Sequence, residues 1–182
     1  MVHCILLAAG FSRRFGENKL IHPVEGKMLF RHTADLLLEL ASEGLCTCRL
    51  VTRPGLLPPF PMETILCSNA WEGIAASLRA GLSSLPEDGG AAAFFVADQP
   101  YLKKETVKGL LNFFPECGKG ILCCGFGERT GNPAIFARRY FPELLNLQGD
   151  KGGKRVMQAH PEDTAIYPVQ EERELLDVDE RT

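Results

Sequence analysis

Three basic side chains follow a short apolar segment near the start of the chain, and their spacing suits phosphate binding. The apolar residues 4–7 lead into Ala8, Ala9 and Gly10, and Arg13, Arg14 and Lys19 come next. A strand that ends in small residues exposes backbone N–H groups, and a glycine has no Cβ to keep an anion away. Hydrogen bonds to charged groups contribute roughly 1.5–3 kcal/mol each, so these groups can hold a triphosphate.

Two common phosphate-binding patterns do not fit this segment. Five residues separate Gly10 from Gly16, and Glu17 stands where the P-loop pattern requires lysine. The dinucleotide fingerprint G-x-G-x-x-G also fails, because Ser12 occupies the position of the second glycine. An ordinary glycine turn with solvated arginines is the structural alternative at this point.

A carboxylate follows the most continuous apolar run of the chain. Residues 91–97 are typical of a strand covered on both faces, as in a parallel sheet, and Asp98 comes directly after them. Ligands of open α/β sheets bind beyond the carboxyl ends of the strands, so we expect Asp98 at the same edge as Gly10 and Lys19. Mg²⁺ prefers one or two carboxylates together with substrate phosphates. The alternative is that Asp98 only starts the turn into Pro100.

The pattern of apolar segments predicts alternating strands and helices. We predict strands at residues 4–7, 45–52, 63–67, 91–97, 120–124, 132–136 and 164–169. We predict helices at residues 28–40, 74–85, 102–114, 141–147 and 153–159. This alternation favours a three-layer α/β/α architecture with a mainly parallel sheet. We expect residues 1–182 to form a single domain, which is long enough to bury a sizeable core.

Charge and cysteine content bear on partners and compartment. The net charge of -3 gives no reason to expect nucleic acid or an anionic membrane surface as a partner. We find no apolar stretch of transmembrane length and no secretory signal pattern at the N-terminus. The seven cysteines form no C-x-x-C pair, so we expect reduced core thiols in a cytoplasmic protein. A reactive thiol or soft-metal site at Cys123 and Cys124 is the alternative.

The first segment resembles a family signature. The pattern L-A-A-G-x-S-x-R-x-G-x-x-K opens nucleotidyltransferases of the molybdenum-cofactor cytidylyltransferase and guanylyltransferase type, and residues 7–19 are similar to it throughout. The resemblance implies that this segment binds the nucleotide, through Leu7, Ala8, Ala9, Gly10, Ser12, Arg14 and Lys19. It also implies that Arg14 and Lys19 are catalytic.

Three later segments resemble family motifs that serve the nucleotide and the metal. Asn69, Gly73 and Ser77 are similar to N-x-x-x-G-x-x-x-S, which lies near the nucleotide base. Asp98 matches the D-x-P segment whose aspartate is catalytic and binds Mg²⁺. Residues 176–179 are similar to D-x-D-T-P, which implies Asp179 as a further metal ligand. Asp177 and Asp179 would point the same way on a strand, although the sequence departs from the motif after Asp179.

Two further segments resemble the acceptor side of the family's cleft. One is similar to G-x-P and the other to L-x-G-D-x-G-[AG]-[RK]. The implied acceptor-binding residues are Gly131, Asn132, Pro133, Lys151 and Lys154.

The resemblance as a whole implies a Rossmann-like three-layer nucleotidyltransferase fold and a Mg²⁺-dependent reaction. The expected reaction transfers CMP from CTP to molybdopterin with release of pyrophosphate, and the product passes to a molybdoenzyme or its chaperone. Ala9 within L-A-A-G favours CTP, since guanylyl transfer usually goes with L-A-G-G. Guanylyl transfer from GTP, transfer to a sugar or alcohol phosphate, and a non-catalytic nucleotide- or cofactor-binding accessory role are the alternatives.

Overall fold

A central β-sheet organises the molecule, for which a computed structural model describes residues 1–12, 15–87 and 90–178. Seven strands form this sheet: β1 (Val2–Ala8), β4 (Cys46–Thr52), β5 (Glu63–Leu66), β6 (Ala91–Val96), β7 (Ile121–Phe126), β8 (Arg129–Phe136) and β9 (Thr164–Pro168). Two short strands, β2 (Pro23–Val24) and β3 (Lys27–Met28), form a separate hairpin.

Five α-helices cover the sheet: α1 (Leu29–Ser42), α2 (Ile74–Ser83), α3 (Lys104–Phe113), α4 (Phe141–Leu145) and α5 (Lys154–Ala159). Single 3₁₀ turns occur at Lys19–Ile21, Ala70–Glu72, Arg138–Tyr140, Pro161–Asp163 and Glu172–Leu175. Within the described residues, no helix combines the length and apolar character needed to cross a membrane.

The strands lie in the order β5-β4-β1-β6-β8-β7-β9. All neighbouring pairs are parallel except those of β8, which runs antiparallel to both β6 and β7. The prediction of a mainly parallel α/β sheet is therefore confirmed. The strands β1 and β6 are adjacent and parallel, so their carboxyl ends place Gly10 and Asp98 at one edge of the sheet.

The hydrophobic core is divided between the two faces of the sheet, because successive side chains of a strand point in opposite directions. Leu6 of β1 packs in one cluster with Leu37 of α1 and Leu110 of α3. Ile5 of β1 packs in the other cluster with Leu78 of α2 and Leu144 of α4. Helices thus cover both faces, as the three-layer prediction requires.

The region after β9 differs from the sequence-based expectation. Residues 176–178 form no strand, so the idea that Asp177 and Asp179 share one face of a strand is wrong for the described part of this segment. The preceding 3₁₀ turn is held by the buried Glu174, whose carboxylate accepts hydrogen bonds from Thr106 and the Lys103 amide. After this turn, the Val178 amide donates a backbone hydrogen bond to the Asp98 carbonyl, and residues 176–178 form no β-ladder there. Asp179 lies outside the described residues.

Candidate active site

The loop after β1 is held by the end of β4. The Thr52 hydroxyl donates to the Ala8 carbonyl at 3.0 Å, and Arg53 donates to the carbonyls of Ala9 and Gly10 at 3.0 and 3.4 Å. In a trans peptide the N–H points opposite to the C=O. The amides that follow these three carbonyls therefore point away from the Thr52 hydroxyl and the Arg53 guanidinium. This orientation is the one an anion-binding loop needs.

Arg53 also fixes the side chain of Phe11. The guanidinium carbon lies 4.0 Å from the centre of the Phe11 ring, which is cation–π geometry. One side chain thus contacts three consecutive loop residues, Ala9, Gly10 and Phe11. The sequence analysis assigned no role to Arg53, since its partners lie about forty residues away in the chain.

The far end of the loop returns to the sheet edge through Ser12. Its backbone adopts a left-handed conformation with φ of 49°, and its carbonyl accepts a hydrogen bond from the Phe15 amide at 2.9 Å. The Ser12 hydroxyl accepts a bond from the Lys19 amide at 3.4 Å. Phe15 and Leu20 are buried and anchor the returning chain. Arg13 and Arg14 lie outside the described residues.

Lys19 and Asp98 meet at the sheet edge. The Lys19 Nζ lies 2.7 Å from the Asp98 Oδ2, and it also donates to the Val178 carbonyl at 2.9 Å. The side chains of Lys19 and Asp98 are only 13% and 23% exposed, so this pair is largely shielded from solvent. The two oppositely charged groups predicted to serve one ligand are therefore in direct contact.

A cavity of about 460 Å³ opens beside this pair. Most of the predicted nucleotide-binding residues line it, namely Leu7, Ala8, Ala9, Gly10, Ser12, Lys19, Gly73 and Ser77, and so does the predicted metal ligand Asp98. Asn69 is not one of its lining residues. The Asn69 side chain instead accepts a hydrogen bond from the Cys67 thiol and donates to Glu72, so it supports the cavity wall from behind.

The opposite wall of this cavity is built where α2 meets the loop after α4. Gly73 has φ of 104°, and a Cβ at this position would lie 2.3 Å from the Gly149 carbonyl carbon and 2.7 Å from Asp150 Oδ1. The Ala75 amide donates to the Gly149 carbonyl at 3.1 Å. Glycine at position 73 therefore allows two backbone segments to touch, and the contact brings Asp150 to the cavity.

Arg79 braces the same wall. Its guanidinium donates to the Leu147 carbonyl and to the Glu72 carboxylate, the latter at 3.2 Å. Glu72 also accepts from the Asn69 amide at 3.1 Å. This set of bonds joins the 3₁₀ turn, α2 and the loop of residues 147–150 into one unit.

A second, smaller cavity of about 140 Å³ adjoins the first, and Leu7, Ile74 and Val96 line both. Gly131, Asn132 and Lys154 line the second cavity, whereas Pro133 and Lys151 line neither. The Asn132–Pro133 peptide bond is cis. The structure thus brings three of the five predicted acceptor residues together.

The residues at the first cavity fit a divalent cation that is shared with a polyphosphate. Asp98 contributes one carboxylate, and only its Oδ2 is engaged by Lys19. One carboxylate plus substrate phosphates is a usual ligand set for Mg²⁺. Among residues 1–12, 15–87 and 90–178, no group of three or more His, Cys, Asp or Glu side chains has metal-binding geometry.

Cys123 and Cys124, the predicted alternative site of a reactive thiol or a soft metal, line neither cavity. All seven are free thiols, and Cys123 and Cys124 are fully buried in β7. Burial raises the pKa of the Cys123 thiol to about 11 and raises the pKa of Cys124 still further. High pKa values and burial do not favour a reactive thiol at this position.

Sequence reasoning assigned no role to several residues of the cavity walls. Trp71, Glu72 and Asp150 line the large cavity, and Arg53 and Arg79 hold its walls from outside. Trp71 is the one tryptophan of the chain and falls in a turn. A large apolar residue in a turn is expected to be exposed, and this expectation could have marked Trp71 as a candidate binding residue. Arg53 and Arg79 bind backbone carbonyls that are distant in the sequence, so no local sequence pattern indicates their roles.

The fold and the site together are those of a nucleotide-binding α/β protein, in which a glycine loop and an acidic residue meet beyond parallel strands. The chain belongs to the MobA-like NTP transferase domain family, whose model matches residues 4–164. It is therefore a nucleotidyltransferase of the MobA-like class, and the family resemblance seen in the sequence is confirmed.

Individual relatives cover most of the chain. Purine catabolism protein PucB of Bacillus subtilis (strain 168) is 28% identical, with 96% of this chain and 90% of the relative aligned. A probable molybdenum cofactor guanylyltransferase of Geobacillus sp. (strain WCH70) is 26% identical, over 79% of this chain and 73% of the relative.

Solved structures share the fold. Rv0371c from Mycobacterium tuberculosis H37Rv superposes with a TM-score of 0.84 at 23% identity, covering 98% of this chain and 92% of that one. A structure of Rv0371c in complex with manganese superposes with a TM-score of 0.74 at 19% identity, covering 92% and 87%. At these identities the likeness supports the nucleotidyltransferase fold.

Proposed function

We propose that this nucleotidyltransferase transfers CMP from CTP to the terminal phosphate of molybdopterin and releases pyrophosphate. The observation that carries the proposal is the contact between Lys19 and Asp98 beside the glycine loop, at one cavity of about 460 Å³. A cationic group, a carboxylate and oriented backbone amides are the parts that a metal-bound nucleoside triphosphate requires.

The reaction needs no covalent intermediate with the protein. An oxygen of the acceptor phosphate attacks the α-phosphorus of CTP and forms the new P–O–P linkage. The bond between the α-phosphorus and the oxygen that bridges to the β-phosphorus breaks, and pyrophosphate leaves with that oxygen and its electron pair. The acceptor phosphate is already ionised near neutral pH, so the protein's contribution is positioning and charge stabilisation.

The basic side chains neutralise the charge of the departing pyrophosphate in this proposal. Lys19 lines the cavity, and the amides after Ala8, Ala9 and Gly10 point away from the Thr52 and Arg53 groups that bind the preceding carbonyls. Arg14 shares this role by its position in the signature. Lys19 exchanges its contact with Asp98 for a phosphate oxygen when the nucleotide binds.

Asp98 is the residue proposed to hold Mg²⁺, with Asp179 as a second ligand by its place in the motif. Bound there, Mg²⁺ offsets negative charge on the α-phosphate and the leaving group. The family and the manganese complex of Rv0371c support use of a divalent metal. Lys19 contacts the Oδ2 oxygen of Asp98, so the Oδ1 oxygen of the same carboxylate is the one proposed to bind the metal while the two side chains are paired.

The remaining predicted residues divide between base and acceptor. Gly73 and Ser77 line the large cavity, and we assign them to the base, with Asn69 behind them. Lys154, Gly131 and Asn132 line the adjoining cavity, and we assign them to the acceptor. Pro133 and Lys151 are included by motif position. The shared lining residues of the two cavities support a direct path from acceptor to α-phosphate.

Guanylyl transfer from GTP is the second candidate. Ala9 favours CTP, whereas the name of the Geobacillus relative, a probable molybdenum cofactor guanylyltransferase, favours GTP. The name of PucB places that relative in purine catabolism and states no reaction. The dinucleotide product would pass to a molybdoenzyme or its chaperone in the cytoplasm.

Pyrophosphate release tests the proposal. The protein is incubated with Mg²⁺, with CTP or GTP, and with molybdopterin, a sugar phosphate or an alcohol phosphate. We expect the highest kcat/KM for CTP with molybdopterin. A higher kcat/KM with GTP would make GTP the nucleotide substrate instead of CTP. A higher kcat/KM with a sugar or alcohol phosphate would make that compound the acceptor instead of molybdopterin.

A matched lysine control makes the assay specific to the site. Lys108 lies on α3 and pairs with Glu43, the residue after α1, and it lines neither cavity. Lys108→Ala should retain turnover, whereas Lys19→Ala should lose it. If no acceptor yields pyrophosphate while CTP binds tightly, the protein is a nucleotide-binding accessory protein and the catalytic proposal is wrong.

A further inference from the structure

An exposed tryptophan stands at the large cavity without an assigned role. Trp71 lies in the 3₁₀ turn Ala70–Glu72, and 65% of its surface is exposed although it lines the cavity. Within the described part of the chain, its ring has no aromatic or cation–π partner. A large apolar ring kept in water beside a cavity is a ready surface for a planar ligand.

Charge distinguishes the two walls of this cavity. The wall formed by Gly10, Ser12 and Lys19 suits phosphates, as argued above. The wall that carries Trp71 also carries the carboxylate of Asp150, which repels phosphate, and the carboxylate of Glu72, whose charge is offset by Arg79. An uncharged planar group is therefore the part of a nucleotide that fits beside Trp71. The glycine loop and Trp71 line the same cavity, so one nucleotide can contact both.

The turn that carries Trp71 is held in place from both sides. The Glu72 amide donates to the Asn69 carbonyl at 3.0 Å, and the Gly73 amide donates to the Ala70 carbonyl at 3.2 Å. The Glu72 carboxylate accepts bonds from Asn69 and from Arg79, which is itself bonded to Leu147. The backbone beneath the indole is thus ordered before any ligand arrives, which lowers the entropic cost of stacking.

We infer that Trp71 stacks on the nucleobase of the bound triphosphate. The inference rests on the proposed function, because it takes the nucleotide to bind in this cavity, and it adds the residue that holds the base. Stacking uses the face of the ring and not its hydrogen-bonding edge. Trp71 therefore binds cytosine and guanine alike, and discrimination between them falls to other contacts. The larger guanine ring should gain more from stacking.

Intrinsic fluorescence reports this contact directly, since Trp71 is the single tryptophan of the chain. The protein with Mg²⁺ is titrated with CTP, GTP and inorganic tripolyphosphate, and calorimetry measures binding in parallel. N-acetyltryptophanamide corrects for absorption by the bases. We expect CTP and GTP to quench the emission with the calorimetric Kd, and tripolyphosphate to bind without quenching. Nucleotide binding without quenching would overturn the inference and leave the proposed function standing.

Two substitutions separate stacking from a structural role. Trp71→Leu should raise the Kd for CTP and GTP by roughly 5- to 150-fold, the range that base stacking supports, with the Kd for tripolyphosphate unchanged. Trp71→Phe keeps a stacking ring and should recover part of the affinity. An equal loss for tripolyphosphate, or no loss for the nucleotides, would overturn the inference. Failure of wild-type protein to bind any nucleotide would instead remove the proposed function as well.

Discussion

The ammonium of Lys19 and the carboxylate of Asp98 lie 2.7 Å apart although 79 positions separate them in the chain. In this arrangement each group neutralises the other. A triphosphate must therefore compete with Asp98 for Lys19, and a metal must compete with Lys19 for Asp98. The pair holds both groups at the sheet edge before substrate arrives, which is the preorganisation that electrostatic catalysis needs.

This pairing predicts opposite effects on binding and on turnover. Asp98→Asn removes a competitor for Lys19 and a charge that repels phosphate. We expect tighter binding of tripolyphosphate in EDTA, measured by calorimetry, and a fall in kcat of at least about 10²–10³ with Mg²⁺. Lys19→Ala should weaken tripolyphosphate binding and lower kcat by a similar factor. Near-native turnover in either variant would remove that residue from the site.

A second prediction concerns Arg53, which positions the glycine loop. Arg53→Leu removes the bonds to the Ala9 and Gly10 carbonyls, so the loop amides lose their fixed direction. We expect the KM for the nucleotide to rise about tenfold or more, since bonds to charged groups contribute roughly 1.5–3 kcal/mol. The KM for the acceptor should stay constant. Steady-state kinetics with each substrate varied in turn measures both.

Phe11→Leu provides the matched variant for Arg53. It removes the cation–π contact at 4.0 Å and keeps the two hydrogen bonds to the loop carbonyls. If the KM for the nucleotide changes less in Phe11→Leu than in Arg53→Leu, the larger change in Arg53→Leu is caused by loss of those hydrogen bonds. Equal changes in both substrates' KM for Arg53→Leu would indicate general destabilisation and contradict the assignment.

A third prediction uses the close approach of α2 to the loop of residues 147–150. Gly73→Ala places a Cβ 2.3–2.4 Å from the Gly149 carbonyl group, so the loop must move. We expect the KM for the nucleotide to rise about 10–10²-fold, because Gly73 and Asp150 form a wall of the cavity assigned to the nucleotide. The unfolding free energy should fall by about 1–3 kcal/mol from backbone strain at positive φ. Kinetics and chemical denaturation measure the two effects.

Gly118→Ala is the control for that strain. Gly118 also has positive φ, at 66°, but no atom lies within 4 Å of the added Cβ. This variant should lose stability and keep its KM for the nucleotide. If the two variants behave alike in the kinetic assay, contact between Gly73 and Gly149 has no bearing on the site.

A fourth prediction follows from the thiol pKa values. Burial raises the pKa of both Cys48 and Cys123 to about 11. With this raised pKa, both side chains remain neutral thiols at pH 8, and only about 0.1% of each is present as thiolate. Reaction of the native protein with a thiol reagent should therefore accelerate as pH rises from 8 toward 10. The measurement is the rate of thiol labelling against pH.

Serine variants assign the labelling rates. Cys48→Ser and Cys123→Ser should leave the fastest phase at pH 8 unchanged, and denaturant should make all seven thiols reactive. Loss of the fast phase in Cys123→Ser would show that β7 carries a reactive thiol after all.

Local patterns predicted the elements that carry strong apolar runs. Gly10 follows β1 and Asp98 follows β6, and parallel pairing of these strands places both residues at one edge of the sheet, so the meeting of Lys19 and Asp98 was predictable. The hairpin of β2 and β3 was missed because strands of two residues have no period to detect. The turn of this hairpin has positive φ at Glu25 and Gly26, and the glycine is the sequence feature that could have indicated a hairpin turn.

Features that depend on distant contacts were not predictable in the same way. The alternating residues 176–178 suggest a strand, yet the bonds made by the buried Glu174 fix a 3₁₀ turn just before them. Arg53 and Arg79 act on backbone carbonyls far along the chain, and neither carries a local motif. Asn69 matched a motif, but its side chain bonds to Glu72 and lies behind the cavity wall.

The hydrogen bond from Lys19 to the Val178 carbonyl spans 159 positions of sequence. Contacts of such long range form late in folding, because much of the chain must first be ordered to bring their ends together. During synthesis on the ribosome, the sheet edge around Lys19 therefore stays incomplete until Val178 has emerged. A nascent polypeptide can bury β1 early, but it completes the surroundings of this lysine only after that point.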